Sequence, residues 1–428
     1  MLRRARRAII TIPRTRTTSM NLRSIRAPLL ALFSSFAFAA GPAPTPAPAP
    51  TPAPAAPPSA PDESQQPIPP APTLSAKSYV LMDFLSGQVL ASKEPEQTLA
   101  PASITKVMTS YVVSQELAAG KAKLDDQVFV SEKAWRGGGA GTDGSTSFLP
   151  VNQKVALKDL LYGMIIQSGN DASIALAEHL GGSEETFVAL MNNTARRLGM
   201  TNTHYANSHG LPADDHYTTA LDVARLSRAL IHDFPEDYKI YSMKDFTFNG
   251  ITQHNRNTLL WRDASIDGIK TGHHSQAGFC LAASAKREDT RLIAVVMGTA
   301  SEKIRADEAQ ALLNYGFRFF ESHRLHEAGV KIAEPTLWKG EGEKAELGVG
   351  AAALVTIPRG AYGRLKATVD VPKPLMAPLA KGQSVGRLKV TLDDKPVYEA
   401  PLVALRDYPE GGFFKRVGDQ VMLWWGKE

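Results

Sequence analysis

A proline-rich run divides the chain and limits where a folded domain can begin. Positions 42 to 72 hold 14 of the 29 prolines, mostly in Ala-Pro and Thr-Pro repeats. Proline fixes its own φ angle and lacks the N–H that helices and sheets need, so this run cannot belong to a packed core. Its composition is typical of an extended polyproline-type linker. We therefore predict a linker over residues 40–74 and a folded body that begins near Ser75.

The segment before the linker has the features of an export signal. Residues 1–39 contain eight arginines and no acidic residue. The apolar run Ala27–Phe38 leads into Ala39, and Ala37 and Ala39 form the small-x-small pattern of a cleavage site. This run is shorter than the about 20 residues that a membrane-spanning helix needs. An uncleaved anchor is the alternative interpretation, and Met20 is an alternative start of the chain.

The charge balance argues against a nucleic-acid-binding protein, and the cysteine count excludes a fold held by internal disulfides. The net charge of +5 comes from the arginine-rich leader, because the other residues contain 40 Lys and Arg against 43 Asp and Glu. This slightly acidic balance excludes a nucleic-acid partner held through general basicity. Cys280 is the only cysteine, so no intramolecular disulfide can form. Its apolar surroundings predict a core residue and not a thiolate nucleophile.

The order of helical and strand-like patterns after the linker predicts an α+β domain over residues 75–323. Two strand-like runs flank a turn near position 86, and several helical stretches follow up to Phe234. Strand-like runs at "DGIKTG", "AGFCLAASAK" and "RLIAVVMGTA" come next, before a closing helix at about 303–322. This order favours a helical cluster packed against a mainly antiparallel sheet.

The C-terminal part of the chain predicts a small all-β domain followed by one helix. In residues 324–408, short β-like runs alternate with Pro, Gly and Asp turns. In residues 409–428, a helical wheel places six large apolar side chains on one third of the circumference, opposite the charged ones. The apolar six are Phe413, Phe414, Val417, Val421, Trp424 and Trp425, and the charged ones are Lys415, Arg416, Asp419 and Lys427. Such an amphipathic helix suits a membrane surface, and docking on its own protein is the alternative.

Ser103 and Lys106 stand in an apolar helical stretch, "APASITKVMTSYV", where an unpaired lysine would be costly to bury. Their spacing places both side chains on one face of a helix. Pro101 suits a helix N-terminus, so Ser103 is expected in the first turn, where free N–H groups favour a developing oxyanion. Lys106 can act as a base only if its pKa falls from about 10.4 to about 7, which takes about 4–5 kcal/mol. Burial beside a second cation can supply this, so we expect another lysine nearby.

Two further motifs accompany the Ser-x-x-Lys pair. Ser168-Gly169-Asn170 interrupts two predicted helices, so its polar side chains are expected to point into a cleft. Lys270-Thr271-Gly272 ends a predicted strand, and its glycine allows the close approach of a substrate backbone. Each motif alone is weak, because a Ser-x-x-Lys pair arises about once or twice by chance in a chain of this length. Together, and in this order, they match the signature of penicillin-binding proteins and class A β-lactamases.

The sequence is therefore similar to the low-molecular-weight penicillin-binding proteins, the serine-type D-alanyl-D-alanine carboxypeptidases of the bacterial periplasm. The similarity runs from about Ser75 to the C-terminus and includes "AKSYVLMDFLSGQVL", "IIQSGNDAS", "FTFNGITQHNRNTLLW" and "EGGFF". It implies a serine β-lactamase/DD-peptidase fold, a β-sandwich-like domain, and a helix on the outer face of the cytoplasmic membrane. It also implies peptidoglycan stem peptides as substrates and β-lactam antibiotics as covalent inhibitors. No cofactor or metal is expected.

The resemblance implies a role for each residue of the first two motifs. Ser103 would attack the carbonyl carbon of the penultimate D-alanine, and Lys106 would take its proton. Ser168 would relay a proton to the leaving amine, and Asn170 would orient Lys106 or the substrate amide. Water would then hydrolyse the acyl-enzyme, whereas a penicillin would trap it.

The third motif and its surroundings are implied to bind the substrate. The implied residues are Lys270, Thr271, Gly272, His273, His274 and Arg305. Lys270 would be the second cation, and Thr271 would contact the terminal carboxylate. The backbone N–H groups of Ser103 and His273 would form the oxyanion hole. His274 stands where these enzymes often have threonine, which puts substrate binding and pH dependence in question, and Arg305 resembles a family arginine near that carboxylate.

Three other functions stay open on the sequence. A serine β-lactamase would need a deacylating carboxylate, and no Glu-bearing motif of that kind lies between Ser168 and Lys270. A metallopeptidase would draw its ligands from "HYANSHGLPADDHY", although no pair there has helical ligand spacing. Its candidate ligands are His204, His209, Asp214, Asp215 and His216. A non-catalytic, membrane-bound scaffold would bind stem peptides or cell-wall partners through its β domain.

Overall fold

The computed structural model describes residues 8–10, 68–138 and 144–426. Most of the predicted export signal and of the predicted linker lie outside these ranges, so both interpretations stay predictions. The helices are Thr105–Ala118 (α1), Glu132–Gly138 (α2), Leu157–Tyr162 (α3), Asn170–Gly181 (α4), Glu184–Arg197 (α5), Ala220–Asp233 (α6), Pro235–Tyr238 (α7), Leu259–Arg262 (α8), Glu302–Phe319 (α9) and Phe413–Trp424 (α10). Short 3₁₀ turns occur at Ala102–Ile104, Lys239–Ser242 and Tyr362–Arg364, and a π-helical turn at Gly163–Gln167.

The strands fall into a group before α9 and a group after it. The strands up to α9 are Ala8–Ile10 (β1), Ser78–Asp83 (β2), Val89–Lys93 (β3), Gln127–Phe129 (β4), Lys154–Ala156 (β5), Asp245–Phe248 (β6), Ile251–His254 (β7), Ile266–His274 (β8), Gly278–Arg287 (β9) and Thr290–Thr299 (β10). The later ones are Phe320–His326 (β11), Lys331–Ala333 (β12), Leu337–Trp338 (β13), Leu347–Val349 (β14), Ala353–Pro358 (β15), Leu365–Asp370 (β16), Leu375–Met376 (β17), Ser384–Leu392 (β18) and Lys395–Ala404 (β19).

An antiparallel sheet of five strands, in the order β3-β2-β10-β9-β8, separates two hydrophobic cores. Successive side chains of a strand point to opposite faces. Along β10, Leu292 and Val296 pack in the core that contains α9, whereas Ile293 and Val295 pack in the core of the helical cluster. Both faces of the sheet are therefore covered, and the predicted α+β arrangement is confirmed.

Helix α1 lies in the interior of the helical cluster. All ten residues from Thr105 to Ser114 are buried, and the helix contacts α4, α5 and α6. A helix that is buried on all sides belongs to the core of its domain. It therefore carries Lys106 away from water, where a charged amine is strongly disfavoured unless it is compensated.

The residues after α9 form an all-β domain with its own core, as the sequence predicts. Its largest sheet has the order β1-β16-β18-β19-β14-β12, in which Ala8–Ile10 pairs antiparallel with β16. Strand β11 pairs with β15, and β13 pairs in parallel with β17. Several hydrogen bonds join this domain to the first one, among them a bond from the Arg359 guanidinium to Phe317 O at 2.8 Å. Ser322 Oγ donates to Asp83 Oδ2 over 2.5 Å, and the hydroxyl oxygens of Ser86 and Thr356 are 2.6 Å apart.

The C-terminal helix α10 turns its acidic residue toward the protein. The helical wheel groups Asp419 with the charged side chains, but in the structure Asp419 is buried. Its carboxylate accepts the backbone N–H of Lys339 at 2.6 Å and pairs with Lys415 Nζ at 2.8 Å, so the all-β domain supplies a partner for the polar side. Phe414 and Trp424 are 88% and 84% exposed. Across the described ranges, no helix has the length and apolar character needed to cross a membrane.

Candidate active site

Ser103 lies in the 3₁₀ turn Ala102–Ile104, which runs directly into α1. The sequence predicts Ser103 in the first turn of the helix itself, so the structure differs only in the tighter winding of this turn. Ala102, immediately before the serine, has a left-handed φ of +48°. Residues with side chains disfavour this conformation, and strain of this kind concentrates at functional sites.

Two glycines allow other backbone segments to approach this turn. A Cβ atom on Gly210 would lie 2.0 Å from Ala102 O, and one on Gly272 would lie 2.9 Å from Pro101 O. Both distances are too short for any side chain. The loop that carries Gly210 and the strand that carries Gly272 therefore contact the Ser103 turn directly, which brings the first and third motifs together.

Lys106 is fully buried, and its amine has three partners. Nζ lies 3.0 Å from Ser103 Oγ, 2.7 Å from Asn170 Oδ1 and 2.6 Å from the main-chain oxygen of His209. The amide and carbonyl oxygens can only accept, so they use both N–H groups of a neutral amine. The lone pair of that amine is left for the hydroxyl proton of Ser103. This geometry suits a neutral lysine that receives a proton from the serine.

Burial and neighbouring charges explain how Lys106 can be neutral. Burial is the main cause that lowers the pKa of Lys106 to about 7, the charge of Arg256 acts in the same direction, and Asp171 opposes both. Burial also holds the pKa of Lys270 well below its usual value, followed by the charges of Lys106, Arg256 and Arg305. The structure thus places the expected second lysine close enough to the first for the charge of Lys106 to lower the pKa of Lys270.

Ser168 and Asn170 lie at the junction of two helical segments. Ser168 has a left-handed φ of +70° that ends the π-helical turn Gly163–Gln167, and Asn170 is the first residue of α4. Ser168 Oγ is buried and has no hydrogen-bond partner among the residues that the structure describes. Buried polar atoms are normally paired, so a hydroxyl left unpaired here is available to a substrate.

Lys270, Thr271 and Gly272 lie on β8, the outer strand of the central sheet. The side chains of Lys270 and Thr271 are buried. Arg305 of α9 is also buried, and its guanidinium donates to Gly272 O at 3.3 Å and to Glu302 Oε1 at 2.9 Å. Within the described ranges β8 pairs only with β9. Its other edge can therefore accept an extended peptide as an additional strand.

Arg256 belongs to the site although the sequence analysis did not single it out. Its side chain is exposed. The flanking Asn255 and Asn257 are buried, and their side-chain amides donate to two main-chain carbonyls at 3.0 Å, which fixes the backbone on both sides. The polar stretch "HNRNT" is typical of a turn, so the sequence offered no signal that separates this arginine from an ordinary surface residue.

Asp171 was also missed, and it clamps the segment 144–149 onto the start of α4. Its carboxylate accepts the backbone N–H groups of Ser147 and Leu149 and the hydroxyl of Thr146, at 2.8 to 3.2 Å. Burial raises the pKa of Asp171, and these hydrogen bonds oppose that shift. Its position directly after the Ser-x-Asn motif is the signal that would have found it.

Known proteins are similar to this chain over most of its length. A family model described as D-alanyl-D-alanine carboxypeptidase matches residues 64–301, and one described as penicillin-binding protein 5, C-terminal domain, matches residues 320–410. The D-alanyl-D-alanine carboxypeptidase DacC of Escherichia coli (strain K12) is 47% identical over 363 residues, which cover 83% of this chain and 91% of that protein. The chain belongs to the D-alanyl-D-alanine carboxypeptidase family.

Solved structures support the same family. Penicillin-binding protein 5 from Haemophilus influenzae matches with a TM-score of 0.77 and 44% identity, covering 79% of this chain and 99% of that one. Penicillin-binding protein 6B from Escherichia coli matches with a TM-score of 0.67 and 38% identity, covering 79% and 98%. The family and the fold that the three motifs imply are confirmed. The roles of individual residues stay predictions.

Two adjacent histidines follow the Lys-Thr-Gly motif in this family member. The His273 side chain is exposed and stacks on Phe279, with the ring centroids 3.9 Å apart, so its ring is held against Phe279. His274 Nδ1 accepts the backbone N–H of Ala277 at 3.2 Å, which leaves the proton of the neutral ring on Nε2. Burial, and then the charge of His273, lowers the pKa of His274. His274 is therefore suited to donate a hydrogen bond to an anion without carrying a charge.

The candidate metal ligands of the sequence analysis make separate hydrogen bonds. His204 Nδ1 lies 2.6 Å from Asp215 O, and His216 contacts Thr105 and Ala206. Among the described residues, no three His, Cys, Asp or Glu side chains are placed to share a metal ion. Cys280 is buried in β9, where burial raises the pKa of its thiol to about 11.

Proposed function

We propose that this protein is a serine-type D-alanyl-D-alanine carboxypeptidase that removes the terminal D-alanine from peptidoglycan stem pentapeptides. The observation that carries the proposal is the arrangement around Lys106. Two acceptors use its N–H groups, and its lone pair faces Ser103 Oγ over 3.0 Å. A serine hydroxyl with an adjacent base of this kind is an activated nucleophile for acyl transfer.

The reaction follows in two stages. Ser103 Oγ bonds to the carbonyl carbon of the penultimate D-alanine while its proton passes to Lys106. The bond to the terminal residue then breaks, and its nitrogen receives a proton through the Ser168 hydroxyl, so D-alanine leaves as a free amine. Water attacks the resulting ester, its proton goes to the same base, and the shortened peptide leaves with Ser103 restored. The N–H groups of Ser103 and His273 stabilise the oxyanion of each stage.

Positive charge near β8 suits the terminal carboxylate of the substrate. Burial lowers the pKa of Lys270 most, and the charges of Lys106, Arg256 and Arg305 lower it further. An incoming carboxylate relieves this repulsion, so binding is favoured by charge as well as by the hydroxyl of Thr271. The β-lactam antibiotics carry a carboxylate and a reactive amide in a similar arrangement, and they form an ester with Ser103 that hydrolyses slowly.

The proposal is tested with a pentapeptide that ends in D-alanyl-D-alanine. We expect one D-alanine to be released per peptide, with no effect of a chelator. We also expect mass spectrometry to place a stable benzylpenicillin adduct on Ser103. Rapid penicillin turnover without D-alanine release would instead identify a β-lactamase, and acylation without any product would identify a non-catalytic binding protein. Inactivation by the chelator would identify a metallopeptidase.

We also propose a location outside the cytoplasm, on the outer face of the cytoplasmic membrane. In this organisation, residues 1–39 direct export, 40–74 form a linker, 75–323 and 324–408 form the two domains, and 409–428 form the membrane-binding helix. The orientation of α10 supports the last assignment. Because Asp419 is held against the all-β domain, Phe414 and Trp424 face outward and can enter a lipid surface.

Replacing Trp424 and Trp425 together by serine is expected to lower binding to phosphatidylglycerol-containing vesicles at least about tenfold. Each aromatic side chain contributes about 1.5–3 kcal/mol when it leaves water. The measurement is co-sedimentation with the vesicles. The matched control is Trp261→Ser, which removes an exposed tryptophan of the first domain and should bind like the wild type. Equal binding by the double variant and the control would contradict the membrane role of α10.

A further inference from the structure

The residues 204–217, here called the 204–217 loop, cover one side of Lys106. The loop connects α5 to α6, and its two ends pair through main-chain hydrogen bonds of 2.9 and 3.0 Å between His204 and Tyr217. Its middle carries the main-chain oxygen of His209, which accepts from Lys106 Nζ at 2.6 Å. A contact that holds this loop against α1 therefore also positions the His209 oxygen, which is one of the three partners of the Lys106 amine.

His216 fastens the 204–217 loop to α1, and so does Thr109, whose Oγ1 donates to Ser208 O at 2.6 Å. The His216 ring is buried, Nδ1 accepts the backbone N–H of Ala206 at 2.9 Å, and Nε2 lies 2.8 Å from Thr105 Oγ1. A backbone N–H can only donate, so Nδ1 carries no proton. Nε2 then carries it and donates to Thr105, the residue that directly precedes Lys106. One neutral ring thus bridges the loop and the helix.

The surroundings of the ring favour this neutral form. Burial is the main cause that lowers the pKa of His216 to about 4. The titratable groups that act on it in the same direction are His209, His204, His274 and Lys106, and the ring of Tyr205 packs edge-on against it. His209 is neutral for similar reasons, since burial and Lys106 lower its pKa to about 4 against the opposing charge of Glu184. Its Nδ1 accepts the backbone N–H of Leu211 at 3.1 Å.

We propose that His216 is a positioning residue whose neutral ring fastens the 204–217 loop to α1 and so keeps the Lys106 amine dry and aimed at Ser103. The inference rests on the proposed function of Lys106 as the base. Without the His216 bridge, the Thr109–Ser208 hydrogen bond still holds the loop on one side of His209, but the His209 carbonyl can shift from the amine and water can enter. Because burial is the main cause of the lowered pKa of Lys106, water entry raises that pKa toward the ordinary lysine value.

The test measures the titration of Lys106 directly, by NMR of the protein with ¹⁵Nζ-labelled lysine. The Lys106 signal is identified by its absence in Lys106→Gln. We expect a midpoint near 7 in the wild type and a rise of at least about one pH unit in His216→Ala. A rise of this size lowers the acylation rate by benzylpenicillin at pH 7 about fivefold, because less of the amine is neutral.

Two further variants keep the test decisive. His204→Ala changes an exposed histidine of the same loop that contacts Asp215 and not α1, so its Lys106 midpoint should equal that of the wild type. Thr105→Val removes the same bridge from the helix side, and it replaces His216→Ala if that variant does not fold. An unchanged midpoint in the bridge variants, or an equal rise in His204→Ala, would overturn the proposal. The titration needs no turnover, so a wild type without peptidase activity would contradict the proposed function separately.

Discussion

Changing Ser103 to alanine is expected to lower D-alanine release and penicillin acylation by about 10⁴-fold or more. The alanine has no oxygen that can form the ester, while the other partners of Lys106, Asn170 Oδ1 and His209 O, remain in place. The variant should therefore fold and still bind substrate. The measurements are the release of D-alanine and labelling by a fluorescent penicillin, with the thermal midpoint as a check on folding.

The matched control for Ser103 is Ser173→Ala. Ser173 is a fully buried serine of α4 whose hydroxyl has no hydrogen-bond partner within the described part of the chain, so its loss breaks no bond. Ser173→Ala should keep the labelling and activity of the wild type. Undiminished labelling of a folded Ser103→Ala would remove this serine from the mechanism, and loss of labelling in both variants would show that the effect is not specific.

Changing Lys106 to glutamine is expected to lower the acylation rate about 10³-fold at pH 8, where the wild-type amine is neutral. Glutamine preserves much of the volume and can still donate to Asn170 Oδ1, but it cannot take the proton of Ser103. In the wild type, the rate should rise with pH through a midpoint of about 7, because the neutral amine is the active form and its fraction grows as pH increases. Lys106→Gln should lose this dependence.

The Lys106→Arg variant distinguishes the loss of a base from the loss of a positive charge. Arginine stays protonated at every accessible pH, so it keeps a cation in the site and cannot act as a base. We expect it to be as inactive as the glutamine variant. The measurement is the second-order rate of penicillin acylation between pH 5 and 9. Retention of the pH midpoint in either variant would assign that midpoint to another group and contradict the role of Lys106.

Local spacing made the first motif predictable. Two side chains three positions apart lie on the same face of a helix or a 3₁₀ turn. The apolar neighbours of Ser103 and Lys106 indicate that this face is buried. The central sheet was equally predictable, because the runs that became β9 and β10 are mostly apolar and are separated by a tight turn. The alternation of β-like runs and turns indicated the all-β domain, and the family resemblance gave the three motifs their roles.

The remaining parts of the site depend on contacts between distant segments. The Lys106 amine receives a main-chain oxygen from His209, 103 residues away, and no side-chain pattern reveals which carbonyl will be used. Arg256 acts through space on Lys106, although it lies in an ordinary polar turn. The helical wheel of α10 separated a charged side from an apolar side, but it did not show which side packs against the protein. That depends on the backbone N–H of Lys339, in another segment, which binds Asp419.

The close approach of Gly210 and Gly272 to the Ser103 turn limits how this protein can respond to antibiotic selection. Any side chain at either glycine collides with the backbone beside the nucleophile, so a substitution there that excludes a drug also disables the enzyme. Changes tolerated by surviving cells should instead fall on exposed side chains at the rim that the reaction does not use, such as the side chain of His273, which contributes only its backbone N–H. Tolerated substitutions are therefore expected at the entrance of the cleft and not next to the nucleophile.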